Sequence, residues 1–281
     1  MNITILQKNL LRSLARAARV VPAKPQLPVI ANVLLETEEG RLKITATNLE
    51  TTESVWVGAK VEKEGGICVS SRLLLEFVAT LPQSTVRLSV KEGALSVETA
   101  GFHAVIPGVA AAEFPKTEGG SSAPAAELKK DEFVGAISQV VFAAATDEGR
   151  PLLTGIRILE KDGETQFAAT DGFRLSVKRL SLKTKEPFDL LVPGRALAEV
   201  VKVSLEEKDV KEIKLSRSAS AQMVFTIGDT EIHTRLIDGQ YPDFEKIIPT
   251  RHNTRVLMDK GVLLTAVKSA AIFARDNANI I

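Results

Sequence analysis

The chain has 281 residues, a length that predicts about two domains and an additional shorter segment. Its residues are 44% hydrophobic and 25% charged, which is typical of a globular protein. Its 36 basic and 35 acidic residues give a net charge of +1, which argues against a strong, indiscriminate polyanion binder. A single cysteine, Cys68, excludes an internal disulfide and a cysteine-rich metal site, and its apolar neighbours indicate a buried strand. The sequence has no apolar run long enough to span a membrane and no signal-peptide core, so we expect a cytoplasmic protein.

The first part of the chain predicts short strands around two helices. After a strand over 3–6, apolar periodicity predicts a helix over 9–21 and another over 71–80, which Ser70 or Ser71 can cap. Strand-like stretches separated by turn residues lie at 29–36, 41–47, 52–57, 66–69, 85–90, 94–99 and 103–107. This order indicates two βαβββ units and an α+β fold.

The same order of elements follows a predicted linker at 116–126, which is rich in Gly, Ser, Ala and Pro. The second set comprises helices over 131–146 and 195–205, with strands at 154–159, 165–170, 175–180, 190–192 and on through 235. A connector over 249–254 then precedes an apolar stretch at 256–258 and a helix over 262–275. We therefore predict domains at 1–120 and 125–249, and the start of a third at 254–281.

The second part of the chain repeats the first at a fixed offset of 123 residues. Pro28 corresponds to Pro151, and Ala46-Thr47-Asn48 corresponds to Ala169-Thr170-Asp171. A third copy begins near Leu257 and stops after one helix. Duplication of this kind favours a function that depends on the geometry of repeated domains.

One face of the first helix carries three arginines opposite its apolar face. At about 100° per residue, Arg12, Arg16 and Arg19 lie away from the side of Leu10 and Leu14. The helix has no acidic residue beside these arginines to offset their repulsion, which favours a polyanion partner over a merely solvated basic face. Additional lysine and arginine side chains lie at comparable places in the second helix of each copy. No aromatic stacking pattern accompanies them, so contact with a nucleic-acid backbone is a more natural interpretation than recognition by base stacking.

The face opposite the core changes its chemistry between the copies. The position of Arg19 is taken by Phe142 in the second copy and by Ile272, followed by Phe273, in the third. A covering loop would explain these apolar groups, but we favour packing against a neighbouring domain.

Residue patterns for catalysis, metals or cofactors are not found in the sequence. The three histidines have no metal-ligand spacing, and there is neither a P-loop nor a glycine-rich dinucleotide motif. The pairs Asp171-Gly172 and Asp238-Gly239 are interpreted as turns, and the charged run 206–209 as solvated surface. We therefore predict no catalytic residue, no metal site and no cofactor.

Several motifs resemble the bacterial DNA polymerase III beta subunit, the sliding clamp. They are Leu27-Pro28-Val29-Ile30-Ala31-Asn32, Glu113-Phe114-Pro115, Ala169-Thr170-Asp171-Gly172-Phe173-Arg174-Leu175, Val192-Pro193 and Asp238-Gly239-Gln240-Tyr241-Pro242-Asp243-Phe244. The resemblance covers the whole chain. It implies the clamp fold, in which helices line the inside of a ring and antiparallel sheets form the outside. It also implies a non-catalytic processivity factor, a head-to-tail homodimer that encircles duplex DNA.

The resemblance also implies three sets of site residues. The residues expected to contact DNA are Arg12, Arg16, Arg19, Lys24, Arg72, Arg195, Lys202 and Lys268. Short peptides of the DNA polymerase III alpha subunit, the clamp loader and repair polymerases would bind a pocket at Arg150, Leu153, Thr170, Gly172, Arg174, Leu175, Pro242, Lys246 and Ile247. The dimer interface would use Ala104, Ile106, Ile272 and Phe273. The chain departs from the family at Phe173, where histidine is common, and at Lys246, where arginine is frequent.

The position of Ile281 leaves two interpretations of function open. If it is a natural end, most of a third domain and a C-terminal pocket segment are missing, and the chain would be a truncated clamp, a peptide-binding adaptor that cannot close a ring. If it is a fragment boundary or an incomplete gene, the clamp function applies to the complete protein. An enzyme is a weaker third hypothesis, since it would need an unpredicted metal or cofactor.

Overall fold

The computed structural model describes residues 1–115, 126–147, 149–161, 163–181, 188–218, 222–275 and 280–281. The predicted linker and the predicted boundary between the first two domains lie outside these residues, except for Ala126, which begins a strand. The chain divides into two units, Met1–Tyr241 and Pro242–Ile281, and the first unit contains both complete copies of the repeat.

The first repeat contains two helices and nine strands among the described residues. In chain order they are β1 (Asn2–Leu6), α1 (Gln7–Ala17), β2 (Asn32–Glu38), β3 (Arg41–Thr47), β4 (Thr51–Gly58), β5 (Lys60–Lys63), β6 (Gly66–Ser70), α2 (Ser71–Thr80), β7 (Thr85–Lys91), β8 (Ala94–Thr99) and β9 (Phe102–Ala110). The hydroxyl of Ser70 accepts a hydrogen bond from the Leu73 amide at 3.3 Å, which confirms the predicted cap of α2.

The second repeat follows the same plan, and the second unit contributes one long helix. The elements are β10 (Ala126–Lys129), α3 (Lys130–Val140), β11 (Gly155–Lys161), β12 (Glu164–Thr170), β13 (Leu175–Leu180), β14 (Asp189–Pro193), α4 (Gly194–Glu206), β15 (Glu212–Arg217), β16 (Gln222–Ile227), β17 (Thr230–Arg235) and α5 (Lys260–Ala274). Helices with antiparallel sheets confirm the predicted α+β class, and none of the helices in the described ranges is long and apolar enough to cross a membrane.

Two helix ends differ from the sequence prediction for local reasons. Helix α1 ends at Ala17 and tightens into i→i−3 turns through Val21. Val21 precedes Pro22, and a residue in that position is disfavoured in the helical conformation. Helix α3 ends at Val140 and continues as a short 3-10 turn, Val141–Ala143. The chain then leaves the helical path, and the Ala145 amide donates to the Leu153 carbonyl at 2.8 Å.

A backbone ladder joins the two repeats. In the described residues, one sheet has the strand order β10-β15-β16-β17-β4-β3-β2-β6-β9-β8-β7-β1-β5, and the other has the order β13-β12-β11-β14. Strand β17 of the second repeat pairs antiparallel with β4 of the first, with Thr230 opposite Val55 and Thr234 opposite Thr51. The ladder therefore crosses from one repeat to the other without a break.

Each repeat keeps its own hydrophobic core, and that of the first repeat is aliphatic. The first core includes Ile3 and Leu10, which are fully buried, and the second is built around Phe133, whose ring meets that of Phe167 edge-on at 6.0 Å. Cys68 is fully buried on β6, as predicted, and burial raises the pKa of its thiol to about 11.

Candidate functional site

The arginines of α1 meet carboxylates of α4. Arg16 is only 3% exposed, although the sequence predicts that it faces a polyanion or solvent. Its Nε donates to a Glu206 carboxylate oxygen at 3.0 Å, and its Nη1 donates to the Thr230 hydroxyl at 2.7 Å. The guanidinium is thus held by the second repeat and is not open to an external partner.

The neighbouring arginines take part in the same contact. Arg19 bonds to Glu199 and Glu206, and Arg12 donates from Nη2 to Glu207 at 2.8 Å. Burial alone would raise the pKa of Glu206, but the bonds and charges of Arg19 and Arg16 lower it. We call this set the junction ion cluster; it consists of Arg12, Arg16, Arg19, Glu199, Glu206 and Glu207.

A buried carboxyl group lies next to the junction ion cluster. Glu53, on β4, is 0% exposed, and neither of its carboxylate oxygens has a hydrogen-bond partner in the described part of the chain. Burial raises the pKa of Glu53 to about 8, the charge of Glu199 adds to the rise, and Arg19 and Arg16 oppose it. At neutral pH this group is therefore mostly protonated.

The prediction that the arginine face of the first helix meets a polyanion did not take into account acidic residues far along the chain. Glu206 and Glu207 lie in a run that the sequence indicated to be solvated, yet their side chains are 37% and 26% exposed and pair with arginines. Helix α1 contains no acidic residue, but its arginines have carboxylate partners elsewhere in the chain. The sequence signal that could have indicated this contact is an arginine-rich helix in one repeat together with an acidic helix end in the next repeat.

The other basic residues of the predicted DNA-binding set stand at the surface. Lys24 is exposed beyond the end of α1, and Arg72 has an 87% exposed side chain paired with Glu76. Arg195 is exposed in the first turn of α4, and Lys202 is 60% exposed, 3.7 Å from Glu199. Lys268 is exposed on α5 of the second unit.

The turn between β12 and β13 carries four residues of the predicted peptide pocket. The Asp171 carboxylate accepts hydrogen bonds from the Phe173 and Arg174 amides at 2.9 and 3.0 Å, and these bonds lower the pKa of Asp171. Thr170 Oγ1 donates to the Arg174 carbonyl at 2.7 Å and accepts from the Gly172 amide at 3.1 Å. The interpretation of Asp171-Gly172 as a turn is confirmed.

The surroundings of this turn bring Arg150 close to Gly172. A side-chain carbon at Gly172 would come within 3.1 Å of an Arg150 guanidinium nitrogen, and its φ of +90° is one that glycine accepts easily. The guanidinium of Arg174 lies 5.8 Å from the centre of the Phe142 ring. The predicted pocket set did not include Tyr241, although it belongs to the motif at 238–244; its hydroxyl accepts a hydrogen bond from the Thr170 amide at 3.0 Å.

The rest of the predicted pocket divides between the two units. Leu153 and Leu175 are half-buried in the first unit. Pro242, Lys246 and Ile247 belong to the second unit, in which Lys246 pairs with Asp243 at 2.9 Å and Ile247 is 65% exposed.

The four residues predicted for the dimer interface differ in exposure. Ile272 and Phe273 are exposed on α5, at 63% and 83%. Ala104 is half-buried, whereas Ile106 is 3% exposed because its side chain packs into the first core. On the same strand, Phe102, Val105 and Val109 are the large hydrophobic side chains that are exposed. Ile106 therefore supports the strand from within and does not present its side chain to a partner.

Within the described ranges, the structure forms no group of three or more His, Cys, Asp or Glu side chains placed to hold a metal ion.

Comparisons with known proteins identify relatives of both repeats. Residues 1–118 match the model of the N-terminal domain of the DNA polymerase III beta subunit, and residues 127–243 match the model of its central domain. The chain is 32% identical to the beta sliding clamp of Synechococcus elongatus over 100% of its own length and 76% of the relative. It is 30% identical to the beta sliding clamp of Streptomyces coelicolor, with 100% of this chain and 75% of the relative covered.

Solved structures give the same result for the fold. A DNA polymerase sliding clamp from Bacillus subtilis superimposes with a TM-score of 0.91 at 22% identity, covering 98% of this chain and 74% of that one. The DNA polymerase III subunit beta from Pseudomonas aeruginosa does so with a TM-score of 0.88 at 27% identity, covering 97% of this chain and 74% of the other.

Proposed function

Because this chain belongs to the DNA polymerase III beta subunit family and is therefore a sliding clamp without catalytic activity of its own, we propose that it acts by encircling duplex DNA. The single observation that carries this function is the match of each repeat to a different domain of the same subunit, in the order in which those domains follow one another. The clamp associates with DNA and with DNA polymerase III. The names of the relatives favour the clamp over the peptide-binding adaptor.

The exposed basic residues are the proposed contacts to the DNA backbone. Lys24, Arg72, Arg195, Lys202 and Lys268 are long, solvated side chains that attract phosphates without reading bases. Loose contacts of this kind permit sliding, because each can be exchanged for the next phosphate at little cost. Arg12 contributes from the edge of the junction ion cluster, where its side chain is 55% exposed. Arg16 and Arg19 serve the contact between the repeats instead.

Retention on DNA tests the topological function. Loaded by a bacterial clamp loader onto nicked circular DNA, the protein is expected to stay bound in salt that disrupts simple electrostatic contacts, and to leave after the circle is cut. Gel filtration of labelled protein with the DNA, before and after linearisation, measures this. Equal loss from circular and linear DNA would contradict encirclement.

We also propose that polymerase III and other partners bind through short linear peptides at the β12–β13 turn, and that two subunits pair head to tail. Leu153 and Leu175 offer apolar surface, while Arg150 and Arg174 stand beside them to meet carbonyl or carboxylate groups of a peptide. Pro242, Lys246 and Ile247, which the family resemblance adds to this site, belong to the second unit and stay a prediction. For the pairing of subunits we propose Ala104, Ile272 and Phe273.

A substitution in the pocket tests the peptide site. A fluorescent peptide of the pattern Gln-x-x-Leu-x-Phe is expected to bind in the micromolar range, and Leu175→Ala is expected to weaken binding by roughly tenfold or more, since it truncates an apolar anchor. Fluorescence anisotropy measures both affinities. Leu205→Ala, at an exposed leucine on α4, is the matched control and should bind like the original chain. Unchanged binding by Leu175→Ala would remove the pocket assignment.

A further inference from the structure

The two repeats contain the same turn, between β3 and β4 in the first and between β12 and β13 in the second. The offset of 123 aligns Thr47 with Thr170 and Asn48 with Asp171. Thr47 Oγ1 accepts a hydrogen bond from the amide two residues on at 3.0 Å, and Asn48 Oδ1 accepts from the amides two and three residues on at 3.0 and 2.7 Å. The corresponding distances at Thr170 and Asp171 are 3.1, 2.9 and 3.0 Å. The two turns therefore share one backbone and differ in the side chains that they carry.

A short 3-10 segment that belongs to the proposed peptide pocket is duplicated as well. Pro28–Ala31 in the first repeat corresponds to Pro151–Thr154 in the second. In both, the amide of the third residue donates to the carbonyl just before the segment, at 3.1 and 3.0 Å. Arg150 thus takes the place of Leu27. Both backbone parts of the pocket that lie in the first unit have a counterpart in the first repeat.

One position of the turn separates the two copies. Leu49 stands where the second repeat has Gly172, and both residues have a positive φ, +77° and +90°. This conformation costs a leucine free energy and costs a glycine almost none. Strain of this kind is retained where the surroundings require that residue. Leu49 is 39% exposed, so most of its side chain is covered.

The missing side chain at Gly172 makes room for a guanidinium group. A carbon added there would lie 3.1 Å from Arg150 Nη1. Because the two turns share one backbone, the Leu49 side chain takes up the corresponding space in the first repeat. The counterpart of Arg150 there is Leu27, which is 47% exposed. The first turn therefore presents two leucines where the second presents a cation.

Arg150 brings an uncompensated positive charge to the second turn. Its exposed side chain forms no ion pair with any residue that the structure describes, whereas Arg174 pairs with Asp171 at 2.9 Å. The half-buried Leu153 and Leu175 belong to the same predicted pocket. A cation beside apolar surface favours a ligand that combines a carboxylate with an apolar group.

We propose that Leu49 closes the first copy of the turn to peptides and that Gly172 opens the second, so that the first unit has one peptide site, whose ligand carries a carboxylate for Arg150. The proposal rests on the peptide pocket proposed above and names the class of peptide that it takes. Gly172 determines specificity by admitting Arg150. A peptide fits this place better than duplex DNA does, because phosphates gain nothing from the apolar surface of Leu153 and Leu175.

Methyl NMR of the whole chain, labelled at Ile, Leu and Val, tests the proposal. The probe is acetyl-Gln-Ala-Asp-Leu-Ala-Phe-amide, and acetyl-Gln-Ala-Asn-Leu-Ala-Phe-amide lacks its only carboxylate. The Asp peptide is expected to shift the methyl signals of Leu153 and Leu175 in a saturable manner and to leave those of Leu27 and Leu49 unchanged. It should bind about fivefold more tightly than the Asn peptide, the gain of a partly exposed ion pair. Equal affinities, or saturable shifts at Leu27 and Leu49, would overturn the proposal.

Exchanging the residue at the second turn tests the role of Gly172. Gly172→Leu is expected to weaken binding of the Asp peptide by about tenfold and to remove its advantage over the Asn peptide, since Arg150 loses its place. Gly172→Ala adds a single carbon at the same point and should reduce that advantage even if the larger variant folds poorly. Gly93→Leu is the matched control, because it places a leucine at another glycine of positive φ, with open space around it, and should bind both peptides like the original chain. Retention of the full advantage by both Gly172 variants would contradict the role of this residue.

The reverse exchange tests the closure of the first turn. Leu49→Gly combined with Leu27→Arg rebuilds the glycine and arginine pair in the first repeat. This variant is expected to gain a second, weaker set of saturable shifts at Ile30, the counterpart of Leu153. If no shifts appear at Ile30, Leu49 does not close the turn.

Two outcomes separate this proposal from the proposed function. If the original chain shows no saturable shifts at Leu153 and Leu175 with either peptide, the peptide pocket itself is wrong. If both peptides bind there equally, the pocket stands and the role of Arg150 falls. Short duplex DNA that displaces the Asp peptide from Leu153 would assign Arg150 to DNA and likewise count against the proposal.

Discussion

Replacing Glu53 with glutamine is expected to make the protein more stable at alkaline pH and to remove a large part of the pH dependence of its stability. In the unfolded chain this carboxyl group ionises above its ordinary pKa of 4.5, whereas in the folded protein it ionises only above about 8. Between these values the unfolded state binds fewer protons, so the free energy of unfolding falls as pH rises and levels off above the folded pKa. Glutamine does not titrate and avoids this loss.

The expected effect is large for one side chain. At about 1.4 kcal/mol per pKa unit, the difference corresponds to at most about 5 kcal/mol above pH 8. Urea unfolding of the original chain and of Glu53→Gln from about pH 5 to about pH 9 measures it, and the two stability curves should diverge as pH rises. Glu212→Gln, at an exposed position on β15, is the matched control and should follow the original curve. Parallel curves for Glu53→Gln would mean that the buried carboxyl is ionised in the folded protein.

Replacing Arg16 with methionine is expected to destabilise the protein by about 3–5 kcal/mol, since it removes one partner from a buried ionic contact. Methionine keeps much of the length and apolar stem of arginine but leaves Glu206 and Glu207 without their most buried counter-charge. The Thr230 hydroxyl also loses the hydrogen bond that it accepts from Arg16. Urea unfolding at neutral pH gives the loss directly.

A double-mutant cycle separates the ion pair from simple packing. Glu206→Gln combined with Arg16→Met should cost less than the sum of the two single changes, because the second substitution no longer leaves an unpaired charge. The exposed pair Arg72–Glu76 provides the control, and Arg72→Met should cost no more than about 0.5 kcal/mol. Additive effects of Arg16 and Glu206 would contradict the role of the junction ion cluster.

Local sequence signals predicted most of the helices and strands. They did not indicate contacts between residues that lie far apart in the sequence. Helix α2 and strands β3, β8 and β13 have the predicted bounds, because apolar periodicity, a capping serine and turn residues act over a few positions. Strand β5 was missed, as it is a short, largely exposed strand of mostly charged residues. The strand predicted from 29 begins as a 3-10 turn at Pro28–Ala31, where proline supplies a fixed φ but no amide hydrogen.

The candidate sites show the same division. The helical phase placed Arg12, Arg16 and Arg19 on one face, but the partners of Arg16 and Arg19 lie on α4, about 190 residues later, and no pattern near α1 indicates them. The fixed offset between the repeats was more informative. It aligned Asn48 with Asp171, and the structure shows that both residues accept equivalent hydrogen bonds in their turns.

The ladder between β17 and β4 has a mechanical consequence. Backbone hydrogen bonds across this join resist sliding of one repeat past the other, and the junction ion cluster resists their separation on the helical side. A hinge needs a few residues that can change their φ and ψ angles freely, and paired strand residues are poor candidates for this. Residues 51–55 and 230–234 should therefore be among the stiffest of the first unit, and elastic deformation of its two repeats should be spread over their loops.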